Sequence, residues 1–344
     1  MNMNVFCGVD DGFRETKIVT STGHSIRIPS QAKAGEMNQI SINGGEKTIF
    51  PYSTEDGDFI IGDITEADAT AFDEYPMSAL NRVIVMHALR SVGLKGGDLA
   101  AIATGLPVKK YFLGSDLNRK LLKAKKANLL RNDVKEIINV AGQKTLDGSN
   151  LPQIVKHEIV SEGIAAWMDV VLQRDENGVI QFDKDLARER IAIIDIGGRT
   201  TDIAVICNNN LDTGRSSTLN MGMLNIENIV KEEIYNNFEI PPSLEQMKEV
   251  MTNKRLKLWG EWQNVGQIVA AAEKSVVNSI KVECQRCLGK AADIDRVVFV
   301  GGTTKALEPY LEGWFRNQII GEDPAFANAR GMAKYIEVSN QGKK

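Results

Sequence analysis

Two short stretches of this chain carry residue types suited to one kind of chemistry. Asp10-Asp11-Gly12 follows the apolar run Val5–Val9, and Asp195-Ile196-Gly197-Gly198 follows Ile191–Ile194. Each reads as a strand, a tight turn and a second strand, with β-branched residues on both sides of the bend. Superposed on Asp10 and Asp195, the two stretches share Asp, Gly, Arg, Thr and Ile in register. A glycine at a hairpin bend exposes backbone amides that can cradle phosphate oxygens. An Asp at the strand end can face a divalent cation, and magnesium keeps most of its waters, so the contact would run through water. One Asp-x-Gly alone is a weak signal, because hairpins use it widely. Two in register, one per half, imply two facing halves that clamp a phosphate chain. A third element, Val297–Val300 followed by Gly301-Gly302-Thr303, is a buried-strand run that breaks at paired glycines, where backbone can approach a ligand closely.

The elements that must position these loops read as alternating strands and helices, an α/β fold. Residues 25–65 read as short strands and turns, with Asn43-Gly44-Gly45 and Asp56-Gly57-Asp58 as turn signals. Ser78–Val92 reads as an apolar helix ended by Gly93. Leu99–Thr104 is a strand running into Gly105-Leu106-Pro107. Leu117–Val140 reads as a long basic helix, and Ser161–Leu172 as a helix carrying Gly163, Ala165 and Ala166. The polar stretch Arg174–Arg190 is the best domain boundary. Beyond it Asn225–Phe238, Leu244–Trp262, Val265–Leu288 and Lys305–Trp314 read as helices, the last with Pro309 inside, and a polar tail starts at Ser339.

The chain has 344 residues, a length that suggests two domains, with 43% hydrophobic and 25% charged residues. A net charge of −4 argues against a broad basic surface for nucleic acid. Lys120, Lys123, Lys125 and Lys126 read as a solvated helix face. The start has no signal-peptide pattern and no run is long enough to span a membrane. Cys7, Cys207, Cys284 and Cys287 make no disulfide framework, so a reducing cytoplasm is expected. Cys284-x-x-Cys287 falls in a helix-forming run and reads as structural. His24, His87 and His157 do not cluster. Trp167, Trp259, Trp262 and Trp314 read as packing residues.

The order of two Asp-x-Gly hairpins and a strand-Gly-Gly element resembles the actin, heat-shock chaperone and sugar-kinase superfamily. The intermediate stretches Thr104–Val108, Lys125–Asn128, Val160–Trp167 and Ala329–Met332 are most similar to the bacterial plasmid-segregation actins, the ParM/StbA family. This resemblance implies an actin-like (ribonuclease H-like) fold with two related domains flanking a nucleotide cleft. Domain I would span 1–175, with a C-terminal helix at about 325–340 returning to it, and domain II would span 190–324. By the same resemblance Asp10 and Asp195 would hold hydrated Mg2+. Asp11, Gly12, Gly197, Gly198, Thr200 and Thr201 would line the phosphates, and Lys17 would reach a phosphate oxygen. Gly301, Gly302 and Thr303 would sit by the nucleoside, and Glu162, preferred over Glu158, would orient the attacking water. At Phe13 and Arg14 the chain departs from the family, which has a small hydroxyl residue after the glycine. The implied function is an ATPase, taking ATP or GTP, that polymerises with itself to segregate plasmid DNA gripped through an adaptor protein. The alternatives are a small-molecule kinase and a chaperone-like or pilus-associated relative; a kinase would need a catalytic base facing a substrate hydroxyl, for which no motif stands out.

Overall fold

In the computed structural model the structure describes residues 4–35, 49–62, 64, 67–140 and 143–341; the turn signal Asn43-Gly44-Gly45 lies outside them. The chain opens with β1 (Asn4–Asp11), β2 (Glu15–Thr20), β3 (Ser25–Pro29), β4 (Ala32–Ala34), β5 (Ile49–Thr54) and β6 (Gly57–Gly62). Then come α1 (Ala79–Ser91), β7 (Leu99–Leu106), α2 (Val108–Tyr111), β8 (Phe112–Leu113), β9 (Asp116–Leu117), α3 (Arg119–Leu129), β10 (Lys135–Val140), β11 (Gln143–Asp147), β12 (Gln153–Ser161) and α4 (Glu162–Val171). A small hairpin, β13 (Leu172–Arg174) and β14 (Ile180–Phe182), leads to β15 (Ile191–Ile196), β16 (Thr201–Cys207), β17 (Asn210–Leu211) and β18 (Ser217–Leu219). The rest is α5 (Met223–Phe238), α6 (Leu244–Asn253), β19 (Arg255–Leu258), β20 (Glu261–Asn264), α7 (Gly266–Leu288), β21 (Arg296–Val300), α8 (Thr304–Leu311), β22 (Gln318–Ile320) and α9 (Ala327–Gln341).

Two large sheets repeat one plan. The first has the order β12-β7-β1-β2-β3, with an antiparallel β1–β2 hairpin and β7 and β12 added in parallel. The second has the order β17-β16-β15-β21-β22, with an antiparallel β15–β16 hairpin and β21 and β22 added in parallel. In both, the first hairpin bends at its Asp-x-Gly. A further sheet, β11-β10-β5-β6-β4, extends the first half. Residues of alternating parity on β15 enter two cores. Ala192, Ile194 and Ile196 pack with α5, α6, α7 and α8, while Ile191 and Ile193 pack with α4. The opposite flank of α4 meets β7, β12 and α9 through Ala165, Ala103, Val160 and Met332. Thus α4, an apolar helix, fills the space between the two sheets, and α9 also packs on β1.

Local signals account for several boundaries. Ser78 caps α1 by accepting from the Asn81 N–H, and Gly93 follows that helix at φ +105°. Three helical expectations overshoot: Lys305–Trp314 stops at Leu311, and two others fall shorter still. Leu117–Val140 is helical only over α3; the chain turns at Asn132, φ +50°, and continues as β10 paired with β11. Leu244–Trp262 is helical only over α6, and the remainder is the β19–β20 hairpin. The tail expected from Ser339 is still helical to Gln341. Among the described residues no helix is long and apolar enough to cross a membrane. Cys284 and Cys287 are buried along α7, with free thiols.

Candidate active site

The bends of the two Asp-x-Gly hairpins face each other across a cleft of about 310 Å³. Its lining includes every residue given a nucleotide, metal or water-orienting role above except Thr201 and Gly301, and it leaves out the less favoured Glu158. Thr201 is buried and its hydroxyl donates to the Met221 carbonyl at 2.8 Å, so that side chain belongs to the sheet rather than to the cleft. Gly301 acts from behind. It sits at φ +99°, and a Cβ there would fall 2.2 Å from Asp195 Oδ1 and 2.4 Å from the Ile196 carbonyl. Thr303 reaches loop 2 directly, donating from its hydroxyl to the Gly197 carbonyl at 2.8 Å. The carbonyls of Gly197 and Gly198 also accept from the first amides of α5, Met223 and Leu224. The second loop is therefore held from outside the cleft.

The register of the first hairpin sets Lys17 opposite Asp10, and its ammonium lies 3.1 Å from Asp10 Oδ2. Burial pulls the Lys17 pKa down, but Asp10 and Glu15 outweigh it and leave the pKa raised. Asp11 is committed elsewhere. It accepts from Lys125 Nζ and from Asn81 Nδ2, both at 2.9 Å. Lys125 is 1% exposed, which corrects its reading as part of a solvated face. This buried pair fixes the first loop to α3 and α1; burial nonetheless raises the Asp11 pKa.

In the second hairpin Asp195 lies opposite Asp202. Burial, then Asp10, pushes Asp195 up to about 7, and burial pushes Asp202 up to about 6. Asp202 accepts from the Val108 N–H at 2.8 Å and from the Thr218 hydroxyl at 2.5 Å, tying α2 to the second sheet. Glu162 opens α4 and lines the cleft. Burial and the charges of Asp202, Asp10 and Asp195 raise its pKa well above the ordinary carboxylate value. Glu158 instead points to Lys126, 3.2 Å away. Phe13 and Arg14 bridge the loops. Arg14 Nε donates to Glu227 of α5 at 2.9 Å, and the Arg199 guanidinium lies 4.8 Å from the Phe13 ring.

Sequence reading missed Lys125, Asn328, Asp202 and Glu227 as site residues. Asn328, at the start of α9, donates to Asp195 at 2.6 Å. Its carbonyl oxygen is buried without a partner, and so is the Tyr75 hydroxyl, both on residues that line the cleft. Orphaned polar atoms of this kind mark places that a ligand or ordered water satisfies. The donor set fits a hydrated cation: Asp10, Asp195 and Glu162 line one cleft, with the ammonium of Lys17 against Asp10 and that of Lys125 against Asp11. Among the described residues no three His, Cys, Asp or Glu side chains close on a common point for direct ligation.

The family model described as "Actin like proteins N terminal domain" matches residues 8–145, and "Archaeal actin homologue MreB-like, C-terminal" matches residues 193–313. No curated protein matches the sequence. Among solved structures, a 15-stranded ParM filament from Clostridium botulinum is 19% identical, with a TM-score of 0.74 over 98% of this chain and 100% of that one. Ta0583, an archaeal actin homologue in complex with ADP, is 17% identical, with a TM-score of 0.71 over 98% and 100%. Bacillus thuringiensis ParM with ATP is 15% identical, with a TM-score of 0.63 over 98% and 99%.

Proposed function

We propose that this chain, which belongs to the actin-like proteins, is an ATPase whose nucleotide cycle drives self-assembly into filaments. The observation that carries the reading is the convergence of Asp10, Asp195 and Glu162 from two repeated hairpins and α4 on one cleft. Asp10 and Asp195 would hold a hydrated magnesium ion, which supplies charge neutralisation for the phosphates. The backbone at Gly12, Gly197 and Gly198, with Thr200, lines the phosphate chain, and Lys17 adds a point charge. Glu162 accepts a hydrogen bond from the attacking water and holds it in line. Gly302 and Thr303 bound the nucleoside side.

The moving parts in this reading are residues 1–175 with 325–340, and residues 190–324. Both bracket the nucleotide, so a ligand that binds the closed arrangement better shifts the population towards it. Closed subunits assemble and hydrolysis loosens them. The similarity to ParM structures, one of them a filament, supports this over a small-molecule kinase. The role that fits is plasmid segregation, with DNA gripped through an adaptor, since the net charge is −4. Sedimentation of the purified protein with ATP and magnesium checks assembly. A polymer pellet with ATP that disappears on hydrolysis is expected; protein that stays in the supernatant at tens of micromolar, with either ATP or GTP, removes the filament reading.

A further inference from the structure

The hairpin β19–β20 presents two tryptophans to solvent. Trp259 is 81% exposed and Trp262 is 49% exposed, against their reading as packing residues. Leu258 pairs with Glu261, so Trp259-Gly260 is a two-residue turn, with φ +49° and +88°. That turn favours Asn, Asp or Gly at its first position. A bulky side chain held in the left-handed region is strained, and strain of this kind persists at functional sites. The fold gains nothing from Trp259, because Leu256 and Leu258, not the tryptophans, anchor the hairpin in the core. Arg255 lies 4.2 Å over the Trp262 ring and pairs with Glu249, and Lys254 pairs with Glu273, whereas Lys257 makes no ion pair among the described residues and is the cation this hairpin offers to a partner. Exposed Trp beside Arg is the composition of an interface hot spot.

A complementary surface exists on the same chain. The hairpin β13–β14 exposes Val179 and Phe182 at 47% and 43%. Asp175, Glu176 and Asp183 flank them in sequence against Lys184, while Asp185 is paired with Arg188 and Arg174 with Glu337, so the hairpin keeps an acidic balance. Leu172 and Ile180 root this hairpin in the core on the α4 face of the second sheet, whereas β19–β20 is rooted in the core on the other face. The sheet separates them, so the two hairpins of one molecule cannot meet.

We infer that the Trp259 hairpin of one subunit docks on the acidic β13–β14 hairpin of a second copy of this chain. This inference rests on the filament reading above and names its contact. The contact joins two different patches, so it is heterologous and propagates as an open chain of subunits rather than closing a dimer. The apolar side chains supply affinity, and the opposed charges supply register and salt sensitivity.

Trp259→Asn separates assembly from folding, because Asn suits the left-handed turn. The variant is expected to bind nucleotide like the parent, to melt about 2–4 °C higher, and to need a critical concentration at least ~30-fold higher for pelleting. Lys257→Glu and Asp183→Lys should each raise the critical concentration about threefold, and the double variant should restore it. If Trp259→Asn pellets at the parent's critical concentration, the hairpin contact is overturned while filament formation stands. If the parent itself never pellets, both readings are overturned.

Discussion

The two hairpins that build the cleft have the same bend but opposite charge across their strands. In the first, Asp10 faces Lys17; in the second, Asp195 faces Asp202. The first half carries its own countercharge. The second sets two carboxylates side by side on one face, an arrangement that destabilises a strand pair. The difference shows that repeated geometry need not mean repeated electrostatics. The first hairpin neutralises its leading acid within its own strands, while the second is held against repulsion by its surroundings: Thr218, the Val108 amide, Asn328 and the loop at Gly301. The asymmetry gives the second hairpin a reason to take up a cation, and the first a reason to keep its shape without one.

The largest effect is expected at the group between the hairpins. Glu162→Ala should lower single-turnover hydrolysis by about 10²–10⁴-fold while nucleotide affinity stays near that of the parent. Rapid-quench measurement with saturating nucleotide checks this, and normal turnover would move the water-orienting role to another residue.

Next, removing the acid of each hairpin should have opposite consequences for the nucleotide-free fold. Asp10→Ala strands the Lys17 ammonium and should cost about 3 kcal/mol. Asp195→Asn removes the repulsion and should raise the melting temperature of the nucleotide-free protein, while magnesium-nucleotide binding should weaken. The pH dependence carries the same sign. Asp195 and Asp202 have native pKa values above their unfolded ones, so the native state holds the extra protons between about pH 4 and 7. Their contribution to stability therefore falls as pH rises through that window. Asp195→Asn and Asp202→Asn should each flatten the fall in melting temperature from pH 5 to 8 without ligand. Equal pH slopes in the variants and the parent would contradict this picture of the second hairpin.

The smallest effect concerns how closely the loops approach. A Cβ on Gly198 would lie 2.7 Å from Arg14 Cβ. Gly198→Ala should push the loops apart and weaken nucleotide binding about tenfold. Arg14→Gly in the same chain should recover most of the loss. Calorimetric titration of the single and double variants decides whether the departure at Phe13-Arg14 is a close-packed contact or a bystander.

What could be read from the sequence was what is written locally. Asp-x-Gly, paired glycines after a strand and the Ser78 cap each signal their conformation within a few residues. What stayed hidden depended on partners far along the chain. Lys125 looked like one lysine among several on a basic helix, because its partner Asp11 is 114 residues away. Asn328 gave no signal, since its meaning comes from Asp195 across the cleft. The β10 strand reads as helix by composition and is extended because β5 and β11 pair with it. The β19–β20 turn was concealed by Trp259, a residue that local turn preferences would not put there. Glu227 sits among helix-forming residues, and only the approach of Arg14 marks it.

The hydrogen bond from Asn328 to Asp195 also carries a timing consequence. Of the described elements, α9 is synthesised last, yet it supplies this bond and packs on β1, the first strand made. A chain emerging from the ribosome thus exposes both acidic hairpins well before the helix that secures the second one. Until α9 is made, Asp195 lacks the amide that holds it, and the cleft lacks the wall that Asn328 supplies. The second loop therefore reaches its final hold only through a helix made after every other described element, one that neither Asp-x-Gly motif announces.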